Sequence, residues 1–297
     1  MSGDADTLIV VRNGIFSEPS AMVELEKYLK GKFPGCSVAV DQAFRWEDPV
    51  LHSGIDLAAL VLGWVRKNPG IDKIVFAGHS QGGLVCRVAV AALCAYESLL
   101  DAIRFRTSDS YFNGANSRLL ELKRFSDEQD RAAKAVHSVL MLGTPNSGAF
   151  TYGQFALQGT IVLHALKKIS GLAGKKNFDE LTTEKLFRIL QKVRVREVRY
   201  VSISGSAFNR YKAVGWSIIG NLPVISRLAP ALALPNDTVV EDISVDLRQA
   251  PLPCEIADLD AQYTHVRSYT ECIMISHTII HSDQNVFDAL DLVLAWQ

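Results

Sequence analysis

The sequence predicts an α/β fold with a mostly parallel central sheet flanked by helices. Two observations predict it. Through the first 150 residues, apolar β-branched runs alternate with segments of helical spacing. The segments between the runs are long enough for crossover helices, which is what parallel neighbours require.

Each element can be read in order. Thr7–Arg12 (TLIVVR) is a near-continuous apolar run, the pattern of a strand buried on both faces. Ser20–Lys30 places Met22, Leu25, Tyr28 and Leu29 on one helical face and stops at Gly31. Ser37–Ala43 (SVAVDQA) reads as the second strand. Ser53–Lys67 reads as a helix with Ser53 and Asp56 at capping-box spacing, ended by Asn68-Pro69-Gly70. Lys73–Ala77 is the third strand, Gly82–Leu100 the next helix and Val136–Leu142 (VHSVLML) the fourth strand. After residue 150 the alternation breaks. Two helical segments, Thr151–Ala173 and Leu181–Val193, precede a strand at Val198–Gly205, and a second apolar insertion spans Ala207–Leu234. The chain closes with a strand at Val266–Ile275 and a helix at Asn285–Trp296. The expected organisation is one core in two parts, 1–150 and 198–297, with a helical cap at 151–197 and a further apolar insertion at 207–234.

Composition narrows the function. Lys and Arg number 31 against 32 Asp and Glu, so no basic excess is available to neutralise phosphates, and a nucleic-acid partner is not expected. The five cysteines (Cys36, Cys86, Cys94, Cys254 and Cys272) form no CxxC pair, which fits free thiols in a reducing compartment better than a zinc site or a disulfide framework. Asp4 and Asp6 stand where a secretory signal would be basic, so a cytoplasmic location is expected. The most apolar stretch, Ala213–Leu234, is interrupted by Pro223, Arg227 and Pro230 and is not read as a membrane span.

Gly78-His79-Ser80-Gln81-Gly82-Gly83 follows a strand and opens a helix. That is the setting of a G-x-S-x-G turn, in which a sharp, strained bend lifts a serine hydroxyl above the sheet edge. Gly78 and Gly82 keep side chains out of the bend, and Gly83 lets the helix lie close to the neighbouring strands. The alternative, a phosphate-binding turn, lacks the Gly-Lys-Ser/Thr ending and the dinucleotide spacing. A serine hydroxyl needs a base to take its proton, and the base needs an acid to fix its tautomer.

The decapeptide GHSQGGLVCR (Gly78–Arg87) resembles the nucleophile elbow of α/β-hydrolases in the lipase and serine-esterase branch. Leu142–Gly148 (LGTPNSG) resembles a segment of the same branch that borders the active site, with Asn146 where histidine is usual. The resemblance implies an α/β-hydrolase core and a triad in the chain order Ser, acid, His. Ser80 is then the nucleophile. Asp237 is the expected acid, because Pro235-Asn236-Asp237-Thr238-Val239-Val240 resembles the turn that carries the catalytic aspartate, with Thr238 in place of glycine; Glu241, Asp242 and Asp246 are competitors. His277 is the expected base. It lies just past the final strand, and Ser276–Asp283 resembles the run whose first histidine is catalytic; His281 and His265 are the alternatives. The oxyanion donors are expected at the backbone N–H groups of Gln81 and Ile15, since Asn13-Gly14-Ile15-Phe16 occupies the place of the branch's His-Gly loop.

His79 reads as structural, and His52, His137 and His164 as ordinary core or surface residues. Cys86 and Cys94 read as small buried hydrophobes. The apolar faces of the two insertions (Phe155, Ile161 and Leu166 in the first, Trp216, Leu222 and Leu228 in the second) could line an acyl pocket, pack on the core or touch a membrane surface transiently. The expected activity is hydrolysis of a small-molecule or lipid carboxylic ester with an apolar acyl group, through an acyl-enzyme and without metal or organic cofactor. Acyl transfer, thioester hydrolysis and an inactive binding module are the alternatives.

Overall fold

The computed structural model describes residues 6–14, 19–41, 48–104, 106, 109–146, 186, 189–190, 193, 195, 198–204, 263–267, 282 and 284–294. Six strands lie among them: β1 (Asp6–Arg12), β2 (Ser37–Val40), β3 (Ile71–His79), β4 (Val136–Leu142), β5 (Arg199–Ser204) and β6 (Tyr263–Arg267). Their order across the sheet is β2-β1-β3-β4-β5-β6, and every neighbouring pair is parallel. All six therefore end at one edge.

Successive side chains of a strand point to opposite faces, and the core divides accordingly. Leu8, Val10, Ile74 and Phe76 belong to one apolar cluster, and Ile9, Val11, Val75 and Ala77 to another. The first cluster is covered by α2 (Val50–Lys67), α3 (Gln81–Cys94), α4 (Tyr96–Arg104), α5 (Ser110–Glu121) and α6 (Ser126–Ala135). The second is covered by α1 (Val23–Lys32) and α7 (Gln284–Leu294). On this face α1 and α7 meet. Tyr28 stacks on Phe287 with ring centroids 4.5 Å apart, and its hydroxyl donates to Asp291 Oδ1 at 2.8 Å. Lys32 Nζ also reaches Asp291, at 2.8 Å.

The structure shifts several expected boundaries: α1 runs through Gly31 to Lys32, β2 ends at Val40 instead of Ala43, and β3 extends from Ile71 to His79. α2 starts at Val50, so Ser53 lies inside the helix and caps nothing; its N–H already bonds the Pro49 carbonyl at 2.9 Å. Pro49 is held extended (φ −53°, ψ 136°), and burial of Val50 and Leu51 carries the apolar face one turn further back. The single helix expected over Gly82–Leu100 is two, α3 and α4, turned by 109° at Ala95. The turn lets Leu99 and Ile103 bury, and Tyr96 Oη donates to the Leu119 carbonyl on α5 at 3.2 Å. Last, β6 begins at Tyr263 instead of Val266. Residues 268–275 of the expected strand lie outside the described residues, as do most of 151–197 and all of 207–234. From residues 151–197, Leu186, Ile189, Leu190, Val193 and Val195 are described; the first four bury in the larger cluster beside Val198, and Val195 packs half-buried against it. No helix among the described residues is long and apolar enough by itself to cross a membrane.

Candidate active site

Ser80 stands at the junction of β3 and α3. Its backbone adopts φ 54°, ψ −128°, and it is the one described residue other than glycine with positive φ. Such a conformation costs of order 1–3 kcal/mol and persists only where the surroundings impose it. Here both backbone groups are fixed. Ser80 N–H donates to the Leu142 carbonyl at 2.8 Å, and its carbonyl accepts from Gly83 N–H at 3.1 Å. Ser80 is the N-cap of α3, yet its hydroxyl makes no capping hydrogen bond, so the geometry serves the side chain and not the helix.

The bend closes only with glycines. A Cβ on Gly78 would lie 2.5 Å from Gly83 N, and one on Gly82 would lie 2.5 Å from the carbonyl oxygens of both Arg12 and Asn13. The chain leaving β1 therefore runs directly over the start of α3. It continues to Gly14, where an added Cβ would lie 2.6 Å from Ser80 Cβ, 3.0 Å from the His79 carbonyl oxygen and 3.2 Å from Ser80 Oγ. A methyl at this position displaces the hydroxyl itself. Gly14→Ala is expected to lower kcat by about a hundredfold while costing only ~1–3 kcal/mol of stability, the usual scale of overpacking. Ester turnover measured beside thermal unfolding checks this; full activity in the variant would show that Gly14 does not abut the reacting group.

Gln81 is fully buried at the first position of α3. Its backbone N–H is among the four that begin the helix without an intrahelical acceptor, next to Ser80 and at the positive end of the helix dipole. Its side-chain Oε1 and Nε2 find no hydrogen-bond partner among the described residues. Asp237, His277 and Ile15 lie outside the described residues. So do the competing positions Glu241, Asp242, Asp246 and His281. The backbone of His265 is described, inside β6 and opposite Ser202. Among the other histidines, His79 is buried at the end of β3, and His52 bonds the Tyr111 carbonyl at 2.8 Å and stacks on its ring. Burial, helped by Lys73 and Arg199, holds His137 below the usual imidazole range. Cys86 is buried, which pushes its thiol up to about 12, so it is no nucleophile at neutral pH; Cys36 and Cys94 are half-buried.

Two polar links that sequence reasoning missed flank the serine. Arg87, one turn and a half along α3, donates from Nη1 to Asn146 Oδ1 at 3.1 Å and to the Asn146 carbonyl at 3.5 Å, both residues being buried. This joins the two motif segments, and Gly83 admits Thr144 between them. An arginine inside the otherwise apolar run LVCRVAVAALC was the signal. On the other side, Arg12 at the end of β1 pairs with Asp41 just past β2. The signal there was an opposite charge closing each of two apolar strands.

The fold is shared with known structures. The mature lipase BlEst2 of Bacillus licheniformis superposes with a TM-score of 0.57 at 16% identity, over 98% of this chain and 92% of that one. The chain has the α/β-hydrolase fold. The lin2722 gene product of Listeria innocua superposes with a TM-score of 0.52 at 9% identity, over 97% of this chain and 94% of that one. In sequence, residues 2–114 match the family described as "Putative serine esterase (DUF676)". That match contains Gly14, Ser80 and Gln81, and it agrees with the lipase and serine-esterase resemblance of the GHSQGG turn. No curated protein matches the chain.

Proposed function

We propose that this α/β-hydrolase chain is a serine hydrolase cleaving a carboxylic ester with an apolar acyl group. The observation that carries the reading is the strained Ser80 backbone, with Gly14 packed against its side chain. Strain kept at a single described position, where it frees a hydroxyl from capping, is strain kept for chemistry. The match of residues 2–114 and the name lipase borne by BlEst2 support the same class.

In this mechanism Ser80 Oγ attacks the ester carbonyl as His277 takes its proton. Asp237 holds the imidazole in the tautomer that can accept and stabilises the imidazolium. The negative charge on the tetrahedral oxygen is met by N–H groups of Gln81 and Ile15. Collapse returns the proton to the alcohol, which leaves, and water hydrolyses the acyl-enzyme by the same route. The topology supports the assignments. The row His79, Leu142, Ile203 and Val266 crosses the sheet in register. The segments that follow β5 and β6 therefore depart from the edge where Ser80 sits, and they contain Asp237 and His277 respectively.

The apolar insertions are taken to line the acyl pocket, and the odd number of cysteines supports a reducing, cytoplasmic setting. A fluorophosphonate probe is expected to label the wild type, and a series of p-nitrophenyl esters to show preference for medium acyl chains. Leu222→Asp or Ile161→Asp should reduce turnover of long-chain esters about tenfold more than that of acetate, on the scale of a lost hydrophobic contact. Equal losses at all lengths would reduce the insertions to packing, and activation by lipid vesicles would make them a membrane-contact surface. A folded protein that the probe does not label would be a binding module instead of an enzyme.

A further inference from the structure

Arg12 is an expensive residue for its place. It is 2% exposed and Asp41 8%, and a buried ion pair commonly adds nothing over apolar side chains of the same size. Burial pulls the Arg12 guanidinium down to about 10 against the opposing pull of Asp41, so it is charged at neutral pH and the contact is ionic. β1 and β2 are in register at Val11 and Val40, so Arg12 and Asp41 are the next residues on adjacent parallel strands. Asp41 N–H also bonds the Val11 carbonyl at 3.4 Å. The side-chain pair therefore ties together the two strands at the point where β1 ends. On its other side the same backbone is pressed to the elbow: the carbonyls of Arg12 and Asn13 touch Gly82, and Gly14 touches Ser80.

We propose that the Arg12–Asp41 ion pair is a positioning device for the active site, holding residues 12–14 against the elbow so that Gly14 stays seated on the Ser80 side chain. This rests on the esterase reading of Ser80. Neither side chain need touch substrate. The contact of Arg12 Nη1 with Asp41 Oδ2 gives a fixed direction that an apolar pair of equal volume does not, because a charged, directional contact has one geometry and apolar packing has several.

The test compares wild type with Arg12→Met/Asp41→Leu, Arg12→Lys and Ser80→Ala. Each is assayed for kcat and KM on p-nitrophenyl butyrate, for the rate of fluorophosphonate labelling and for the thermal midpoint. The double variant is expected to keep a midpoint near wild type and a KM within about twofold. Its kcat and labelling rate should fall by about a hundredfold, the scale of a reacting group misplaced by about 1 Å. Arg12→Lys retains the charge and loses the planar guanidinium; it serves as the folded control should the double variant aggregate. It is expected to recover part of the loss, to about a tenth of wild-type kcat. Wild-type kcat in either folded variant, or a loss that appears in KM alone, overturns the proposal. If wild type and Ser80→Ala behave alike, the esterase reading fails and the proposal falls with it. The two failures are distinguished by the wild-type labelling lane.

Discussion

Ser80→Ala is expected to lower kcat by roughly 10⁴–10⁶ and to abolish fluorophosphonate labelling, while the circular dichroism spectrum and thermal midpoint stay those of the wild type. The magnitude follows from the proposed mechanism, in which the nucleophile is irreplaceable: without Oγ no acyl-enzyme would form, and water would attack unaided. The stability expectation follows from the structure. The hydroxyl caps no helix, and the elbow is held by backbone bonds from Ser80 N–H to Leu142 and from Gly83 N–H to Ser80. Alanine preserves both. Ser80→Gly should be equally inactive but should melt above Ser80→Ala, because positive φ is adopted freely only by glycine. Differential scanning calorimetry on the pair measures that difference. More than about a tenth of wild-type turnover in Ser80→Ala would remove Ser80 from the mechanism.

His277→Ala is expected to lose about as much, since triad members act as a unit, whereas His281→Ala should keep most of its activity near neutral pH. The described part of β6 strengthens one half of this assignment. His265 pairs with Ser202, one residue before the row that ends at His79, and so precedes the carboxyl edge where Ser80 emerges. In the proposed chain order of the triad, the base comes from beyond Arg267. His277 and His281 both satisfy that condition, and the pair of alanine variants decides between them. Retained activity in His277→Ala with loss in His281→Ala moves the base one helical turn along the chain. Kinetics against pH provide a second readout: the limb assigned to the base should vanish with the histidine responsible, leaving a flat, low residual rate.

The part of the site legible in the sequence was the part carried by local rules. Gly78, Ser80, Gln81, Gly82 and Gly83 were read from spacing between a strand and a helix, and the elbow formed there because those glycines permit a bend that other residues clash with. β1 and β4 were equally legible, from near-continuous apolar runs that the sheet buries on both faces. The run from 101 to 135 gave no clear element, yet it forms the end of α4 and then α5 and α6. The stretches SYFNGANSRLLE and SDEQDRAAKA are rich in polar residues. Each buries only a narrow stripe, such as Tyr111, Phe112, Ala115 and Leu119 in α5. The break at Ala95 was invisible because nothing local stops that helix; it turns where α5 offers a surface to Leu99 and Ile103.

The sequence by itself determined the sheet's parallel character and the serine at its edge, since both follow from short-range pattern and from the steric freedom of glycine. Only the tertiary structure decided what braces that serine. Arg12 and Asp41 are 29 residues apart, and Arg87 and Asn146 are 59 apart. Each pair meets because parallel strand register and the packing of α3 bring distant backbone into contact, and a charged group survives in that dry setting only when such a partner arrives.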